Sequence, residues 1–352
     1  MLNRPGLEQL TTYSVEEADF AVRLDANEQP VNLPAAVRKE VLDRLATLAF
    51  NRYPEIGVAT LRQKIAAAMN LAVDGVLVGN GSSELLEAAC YAFGGPGRSI
   101  VFPTPSFSMY AIYAKLADSR PVPVPLGEDF SLGADDVLTA AREHQASLIL
   151  LCNPNNPTGS VMSDESIEAI VSQAPCPVIV DEAYYEFYGH SCVPLLAKYD
   201  NLIITRTFSK AYSMAAARVG YLLAAPQLTQ IVGKTVLPYP VNALSLLCAE
   251  TVYDKRKAFE PEIDQTIRER RRLADTLESM RGVTVYPSQT NFLLVACPQA
   301  GDLAQYLARS GIGIRDFSNS PRLQGCLRFT VGTADENNIL LKTIRQFYEV
   351  KI

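Results

Sequence analysis

In the stretch Asn201–Tyr221, NLIITRTFSKAYSMAAARVGY, an apolar run ends in Thr207, Ser209 and Lys210, and Arg218 follows eight residues after the lysine. A primary amine beside hydroxyls and a guanidinium suits capture of a carbonyl next to an anion, provided the amine is desolvated enough to shed its proton. Three other clusters carry groups that would complete such a site. The turn after GVLV supplies Gly79, Gly81, Ser82 and Ser83 at the start of a helical pattern, where backbone N–H groups can take an anion. The segment NPNNPTG, Asn153–Gly159, closes a second apolar run, and PVIVDEAYYEF closes a third with Asp181 and Tyr184.

Each cluster alone has an ordinary structural explanation. GNGSSE lacks the third glycine of a dinucleotide fingerprint and the GK[ST] of a P-loop. NPNNPTG is built of turn residues, Asp181 suits a helix cap, and a lysine such as Lys210 can snorkel to the surface. Together they fit one cofactor. Pyridoxal phosphate needs a phosphate cradle, a carboxylate at its ring nitrogen, a donor to its ring oxygen and a lysine for its aldehyde. On this reading Ser82, Ser83, Thr207, Ser209 and Arg218 serve the phosphate, Asp181 and Tyr184 the ring, and Lys210 the aldehyde.

The elements that must position these groups are legible as patterns. From about residue 60 to 225, helical segments such as GVATLRQKIAAAM and SSELLEAACYAF alternate with short continuous apolar runs such as RSIVF, SLILLC, PVIV and NLIIT. Continuous rather than alternating apolar runs mark strands covered on both faces, hence a mainly parallel α/β sheet. Ligands of such sheets bind outside the carboxyl ends of the strands, which is where the four clusters fall. The last third, with GVTVYPSQTNFLLVAC, GIGIRDF and CLRFTVGT, is a mixed α+β pattern. We expect residues 46–240 to form a large domain, and 1–45 with 241–352 to form a smaller one that includes the N-terminal segment and a long connecting helix. In CLRFTVGT strand alternation sets Leu327, Phe329 and Val331 on one face and Arg328 on the other, so Arg328 points either to solvent or into a cleft.

The bulk numbers exclude several classes. With 352 residues, 48% hydrophobic and 20% charged, the chain has ordinary globular composition. A net charge of −6 argues against a nucleic-acid surface. The one basic run, RERRR at 268–272, lies in a helical pattern and is expected to be a solvated face. Seven scattered cysteines form no CxxC pair, and the two histidines, His144 and His190, stand alone, so no zinc site and no Ser-His-Asp triad is indicated. No signal-peptide pattern and no membrane span appear, and a cytoplasmic location is expected.

The chain also resembles fold-type I pyridoxal-phosphate aminotransferases, and among them the histidinol-phosphate aminotransferases. The likeness runs through LDANEQP, NRYPEIGVATLRQKIA, GNGSSELLEA, NPNNPTG, VDEAYYEF, RTFSKAYSMAAARVGY, TNFLL and CLRFTVGT. The resemblance implies that Lys210 bonds the cofactor and moves a proton, that Asp181 pairs with the ring nitrogen, and that Asn156 and Tyr184 bond the ring oxygen. It further implies that Phe107 stacks on the ring and that Gly81, Ser82, Ser83, Thr207, Ser209 and Arg218 contact the phosphate. Tyr53 would reach the phosphate of a second subunit, which makes a homodimer the expected unit. Arg328 would bind a carboxylate, and Arg315, with Tyr13, the phosphate of a phosphorylated amino alcohol. The activity implied is transfer of an amino group between L-histidinol phosphate and 2-oxoglutarate, as in histidine biosynthesis. Aromatic-amino-acid transamination and phosphothreonine decarboxylation occur on similar sequences. A non-catalytic sensor is disfavoured, because too few residues precede LDANEQP for a helix-turn-helix module. The chain departs from the family pattern at MAAAR, where LAGLR is common, and at RDFSNSPRLQG.

Overall fold

The structure, a computed structural model, describes residues 19–350. Its strands in chain order are β1 (Val22–Leu24), β2 (Val76–Gly79), β3 (Ser99–Thr104), β4 (Arg120–Pro125), β5 (Ala146–Cys152), β6 (Val178–Asp181), β7 (Leu202–Thr207), β8 (Gly220–Ala224), β9 (Thr284–Val285), β10 (Phe292–Ala296), β11 (Ile312–Asp316) and β12 (Cys326–Thr330). Seven of them form one sheet in the order β2-β8-β7-β6-β5-β3-β4. Within it β4, β3, β5, β6 and β7 run parallel, and β8 is antiparallel to both of its neighbours. The mainly parallel α/β architecture expected from the apolar runs is therefore present.

The two faces of this sheet explain the continuous runs. In β6, Val178 and Val180 join one core while Ile179 joins the other; in β7, Leu202 and Ile204 divide from Ile203 in the same way. Side chains alternate faces along a strand, so a run without polar residues is what a doubly covered strand requires. Full burial of each such side chain contributes about 1.5–3 kcal/mol, and a one-residue slip would exchange the faces presented by Asp181 and its neighbour Glu182. The cofacial cores thus lock the register on which the site depends.

The remaining strands form a second sheet, β1-β11-β12-β10-β9, in which only β1 and β11 pair in parallel. The helices Glu260–Glu278, Ala300–Arg309 and Ala334–Val350 cover it through Leu273, Leu307 and Leu340. The segments read from sequence with the smaller lobe also touch the larger one. Val37 of helix Ala35–Leu45 and Leu246 and Val252 of helix Ala243–Asp254 belong to a core of the seven-stranded sheet.

The basic run corrects one expectation. Arg268 is exposed and Arg272 pairs with Glu269, but Arg270 is buried, donating to the Thr290 carbonyl at 2.6 Å and to Gln289 Oε1 at 3.2 Å. Helical spacing places Arg270 on the inward face, where a loop carbonyl satisfies it.

Candidate active site

A cavity of about 760 Å³ opens at the carboxyl ends of β3, β5, β6 and β7 and is closed from the other side by residues of the second sheet. Asp181, the last residue of β6, lies at its floor and is 4% exposed. Two hydroxyls hold the carboxylate: Tyr110 donates to Oδ2 and Thr205 to Oδ1, both at 3.0 Å. Burial nevertheless pushes its pKa up to about 6, and the neighbouring Glu182 adds to the rise. A buried carboxylate of this kind calls for a cationic partner.

Lys210, just past the end of β7, lines the same cavity and donates to the Ala26 carbonyl at 2.8 Å. Burial lowers its pKa to about 7, with Arg328 and Arg218 pushing the same way and Glu28 opposing. The amine is thus poised to lose its proton near neutrality, the property required of a lysine nucleophile or base.

An anion cradle adjoins these groups. The helix Ser82–Phe93 begins at Ser82 and Ser83 in the cavity wall, with Gly81 before it at φ +84° and ψ 161°. A Cβ on Gly81 would come within 3.0 Å of Arg218 Nη2, so glycine permits the close approach of guanidinium and helix start. Arg218 donates to Ser209 Oγ at 3.1 Å, and Ser209 N–H in turn donates to Thr207 Oγ at 3.0 Å. Orphan N–H groups, hydroxyls and a guanidinium form a donor set suited to a phosphate.

The second sheet contributes two arginines. Arg315 and Arg328 lie opposite one another on β11 and β12, and both line the cavity. Arg328 points into the cleft: it is buried and donates to Asn156 Oδ1 at 2.7 Å and to the Asp25 carbonyl at 2.6 Å. Tyr184 is buried, with its ring edge-to-face on Phe292 at 5.3 Å. Phe107 lines the cavity edge-on to Tyr110, with centroids 5.5 Å apart.

Twelve of the residues singled out from sequence therefore face one cavity, and Gly81 stands directly behind it. Tyr53 does not. It is 80% exposed and stacks on Tyr239 at 4.7 Å, because within one chain its segment lies outside the cavity. Tyr13 lies outside the described residues. Sequence reasoning overlooked Tyr110 and Thr205, which hold Asp181, and the strap Asp25–Asn27, whose carbonyls accept from Arg328, Lys210 and Asn291. Asn27 stood inside the motif LDANEQP and Tyr110 three residues past Phe107, but no spacing rule links them to partners so distant in the chain.

The cavity and donor set fit pyridoxal phosphate: a buried acid for a cationic ring nitrogen, an amine of lowered basicity and a separate anion cradle occur in one space. Fold and site together define a fold-type I transferase. The model of "Aminotransferase class I and II" matches residues 21–344. The chain belongs to this aminotransferase family. It is 37% identical, over 98% of both chains, to a histidinol-phosphate aminotransferase of Caldanaerobacter subterraneus subsp. tengcongensis. Among solved structures, the Sinorhizobium meliloti histidinol-phosphate aminotransferase in complex with pyridoxal-5'-phosphate superposes with a TM-score of 0.88 at 24% identity, covering 99% of each chain. The L-threonine-O-3-phosphate decarboxylase of Porphyromonas gingivalis gives 0.81 at 25% identity over 93% of this chain and 99% of that one. No helix among the described residues is long and apolar enough to cross a membrane.

Proposed function

We infer that the protein transfers the amino group of L-histidinol phosphate to 2-oxoglutarate, giving imidazole-acetol phosphate and L-glutamate, with pyridoxal phosphate as cofactor. When bound, the cofactor supplies an aldehyde for the amino group and a ring that takes up the electron pair released at the substrate carbon. The single observation that carries the reading is the facing pair Arg315 and Arg328 in the cavity that Lys210 also lines, since histidinol phosphate brings a phosphate and 2-oxoglutarate brings carboxylates for guanidinium groups to hold.

The chain's own residues have distinct tasks. Ser82, Ser83, Thr207, Ser209 and Arg218 hold the cofactor phosphate, with Gly81 allowing the approach. Asp181 holds the ring nitrogen protonated, and Asn156 and Tyr184 bond the ring oxygen while Phe107 covers the ring. Lys210, whose basicity burial lowers, holds and moves the proton at the reacting carbon. Arg328 orients a carboxylate and Arg315 a phosphate, through charge-assisted forks. Tyr53 belongs to a second copy's site. Phe50, Ile56 and Leu237, from the two segments that carry Tyr53 and Tyr239, are likewise more than 70% exposed, as a homodimer interface would require.

The test is a single turnover. Cofactor-loaded protein is mixed with histidinol phosphate and no keto acid, and the visible band of the lysine-bound cofactor is followed together with product. One equivalent of imidazole-acetol phosphate per site, with the band lost and then restored by 2-oxoglutarate, is expected. A band that ignores histidinol phosphate and responds to phenylalanine, or carbon dioxide released from phosphothreonine with the band retained, would replace the assignment.

A further inference from the structure

Asn27 and Asn291 belong to LDANEQP and TNFLL, two motifs that no role above absorbs. Asn27 is 2% exposed and Asn291 fully buried, although both carry amides that need partners. Asn27 adopts φ +54°, a left-handed conformation that asparagine tolerates better than most residues. Its backbone is clamped from the second sheet on both sides: its N–H donates to Thr330 Oγ at 2.9 Å, and its carbonyl accepts from Asn291 Nδ2 at 3.0 Å. Its side chain crosses to the segment that follows β6, where Nδ2 donates to the Tyr184 hydroxyl at 3.0 Å.

The orientation of the amide is fixed by its other end. Thr330 is 2% exposed and its Oγ accepts the Asn27 N–H, so its own buried proton needs an acceptor, which Asn27 Oδ1 provides at 3.2 Å; the opposite orientation of the amide would take that acceptor away. The nitrogen is then the atom turned to Tyr184, and an amide nitrogen can only donate. A tyrosine hydroxyl that accepts this bond keeps its single proton for a different acceptor. Tyr184 lines the cavity, so that proton is directed to whatever oxygen the cavity holds. We propose that Asn27 is a positioning residue that sets the polarity of the Tyr184 hydroxyl, making it an obligate donor to the cofactor's ring oxygen. The relay runs Thr330 to Asn27 to Tyr184, and it ties the donor's direction to the docking of the second sheet on the first. It rests on the reading of Tyr184 as a cofactor ligand.

Asn27→Asp tests the relay at constant shape. The carboxylate still accepts from Thr330, but it presents an acceptor to Tyr184, which turns the hydroxyl proton away from the cavity. The readout is the pH midpoint of the visible band of the lysine-bound cofactor in the pyridoxal-phosphate-loaded protein. A donor to the ring oxygen stabilises its negative charge and lowers this midpoint, so Tyr184→Phe is expected to raise it by about one to two units. Asn27→Asp should raise it comparably with Tyr184 intact, and by less than about half a unit in the Tyr184→Phe background. Equal shifts in both backgrounds would mean that the new charge acts directly, and no shift in the wild-type background would mean that Asn27 does not orient the hydroxyl; either result overturns the proposal. Should Asn27→Asp not fold, Asn27→Ala carries the same test, with a smaller upward shift expected only where Tyr184 is present. If Tyr184→Phe itself leaves the midpoint unmoved, the cofactor role of Tyr184 fails and the proposal with it, an outcome distinct from failure of the Asn27 link alone.

Discussion

Replacing Asp181 with asparagine should stabilise the protein without its cofactor and weaken it with the cofactor bound. The carboxylate is buried under β6 with two hydroxyl donors, and its pKa stands at about 6, roughly two units above an unfolded aspartate. A folded state that holds its proton to higher pH than the unfolded chain has full stability from this group below about pH 4 and loses it as pH rises through 6. Two units correspond to about 3 kcal/mol lost by pH 8, of which about 1 is already gone at pH 4.5. Asparagine does not titrate, so it avoids that loss. Against this, the hydroxyl of Tyr110 or Thr205 must turn to accept from the new amide, at a cost of about 1 kcal/mol. The assay is urea unfolding of cofactor-free wild type and Asp181→Asn at pH 4.5 and 8. The variant should gain about 2 kcal/mol relative to wild type between the two pH values. Glu186, whose burial pushes its pKa to about 8, titrates alike in both proteins and cancels. Added pyridoxal phosphate should reverse the order, because only the carboxylate can pair with a cationic ring nitrogen. A wild type that stays the more stable at pH 8 without cofactor, or a difference that does not change with pH, would refute the reasoning.

Three further outcomes are expected. Arg328→Met removes a positive charge beside Lys210, so the lysine pKa should rise above about 7 and the pH at which apoprotein captures pyridoxal phosphate should move upward, read by reconstitution rates from pH 6 to 9. Arg315→Ala should raise KM for histidinol phosphate by about 10–100-fold, the loss of a charge-assisted bond, while phenylalanine turnover changes little. Gly81→Ala forces a side chain onto φ +84° and against Arg218, and equilibrium dialysis should find cofactor affinity reduced by about tenfold or more.

The groups most legible in the sequence were those set by local rules. Lys210, Asp181 and Asn156 each follow an apolar run that had to be a covered strand, and the strand-end rule for parallel sheets then brings them together. Arg328 was half-legible: alternation separated it from Leu327 and Phe329, but only the tertiary fold shows the Asp25 carbonyl and Asn156 Oδ1 that let it turn inward. Arg270 misled for the complementary reason, since its acceptor is a loop carbonyl twenty residues away. Tyr110 on Asp181 and Asn27 on Tyr184 join residues 71 and 157 apart, and such pairs follow from register and sheet docking rather than from composition.

The strap Asp25–Asn27 also explains how an acidic chain keeps a site for anions. Lys210 and Arg328 are held there by the carbonyls of Ala26 and Asp25, which satisfy hydrogen bonds without cancelling charge. Had carboxylates supplied those contacts, each cation would be fixed but neutralised, and Lys210 would be driven toward its protonated form. With a neutral acceptor on the amine, burial lowers the lysine pKa, and Arg328 and Arg218 push it further down against Glu28. Guanidinium groups held in this way still offer donors where a phosphate and a carboxylate would enter. Holding cations by backbone carbonyls therefore does two things at once: it orders the donors before ligand arrives and leaves their charge for the ligand to meet.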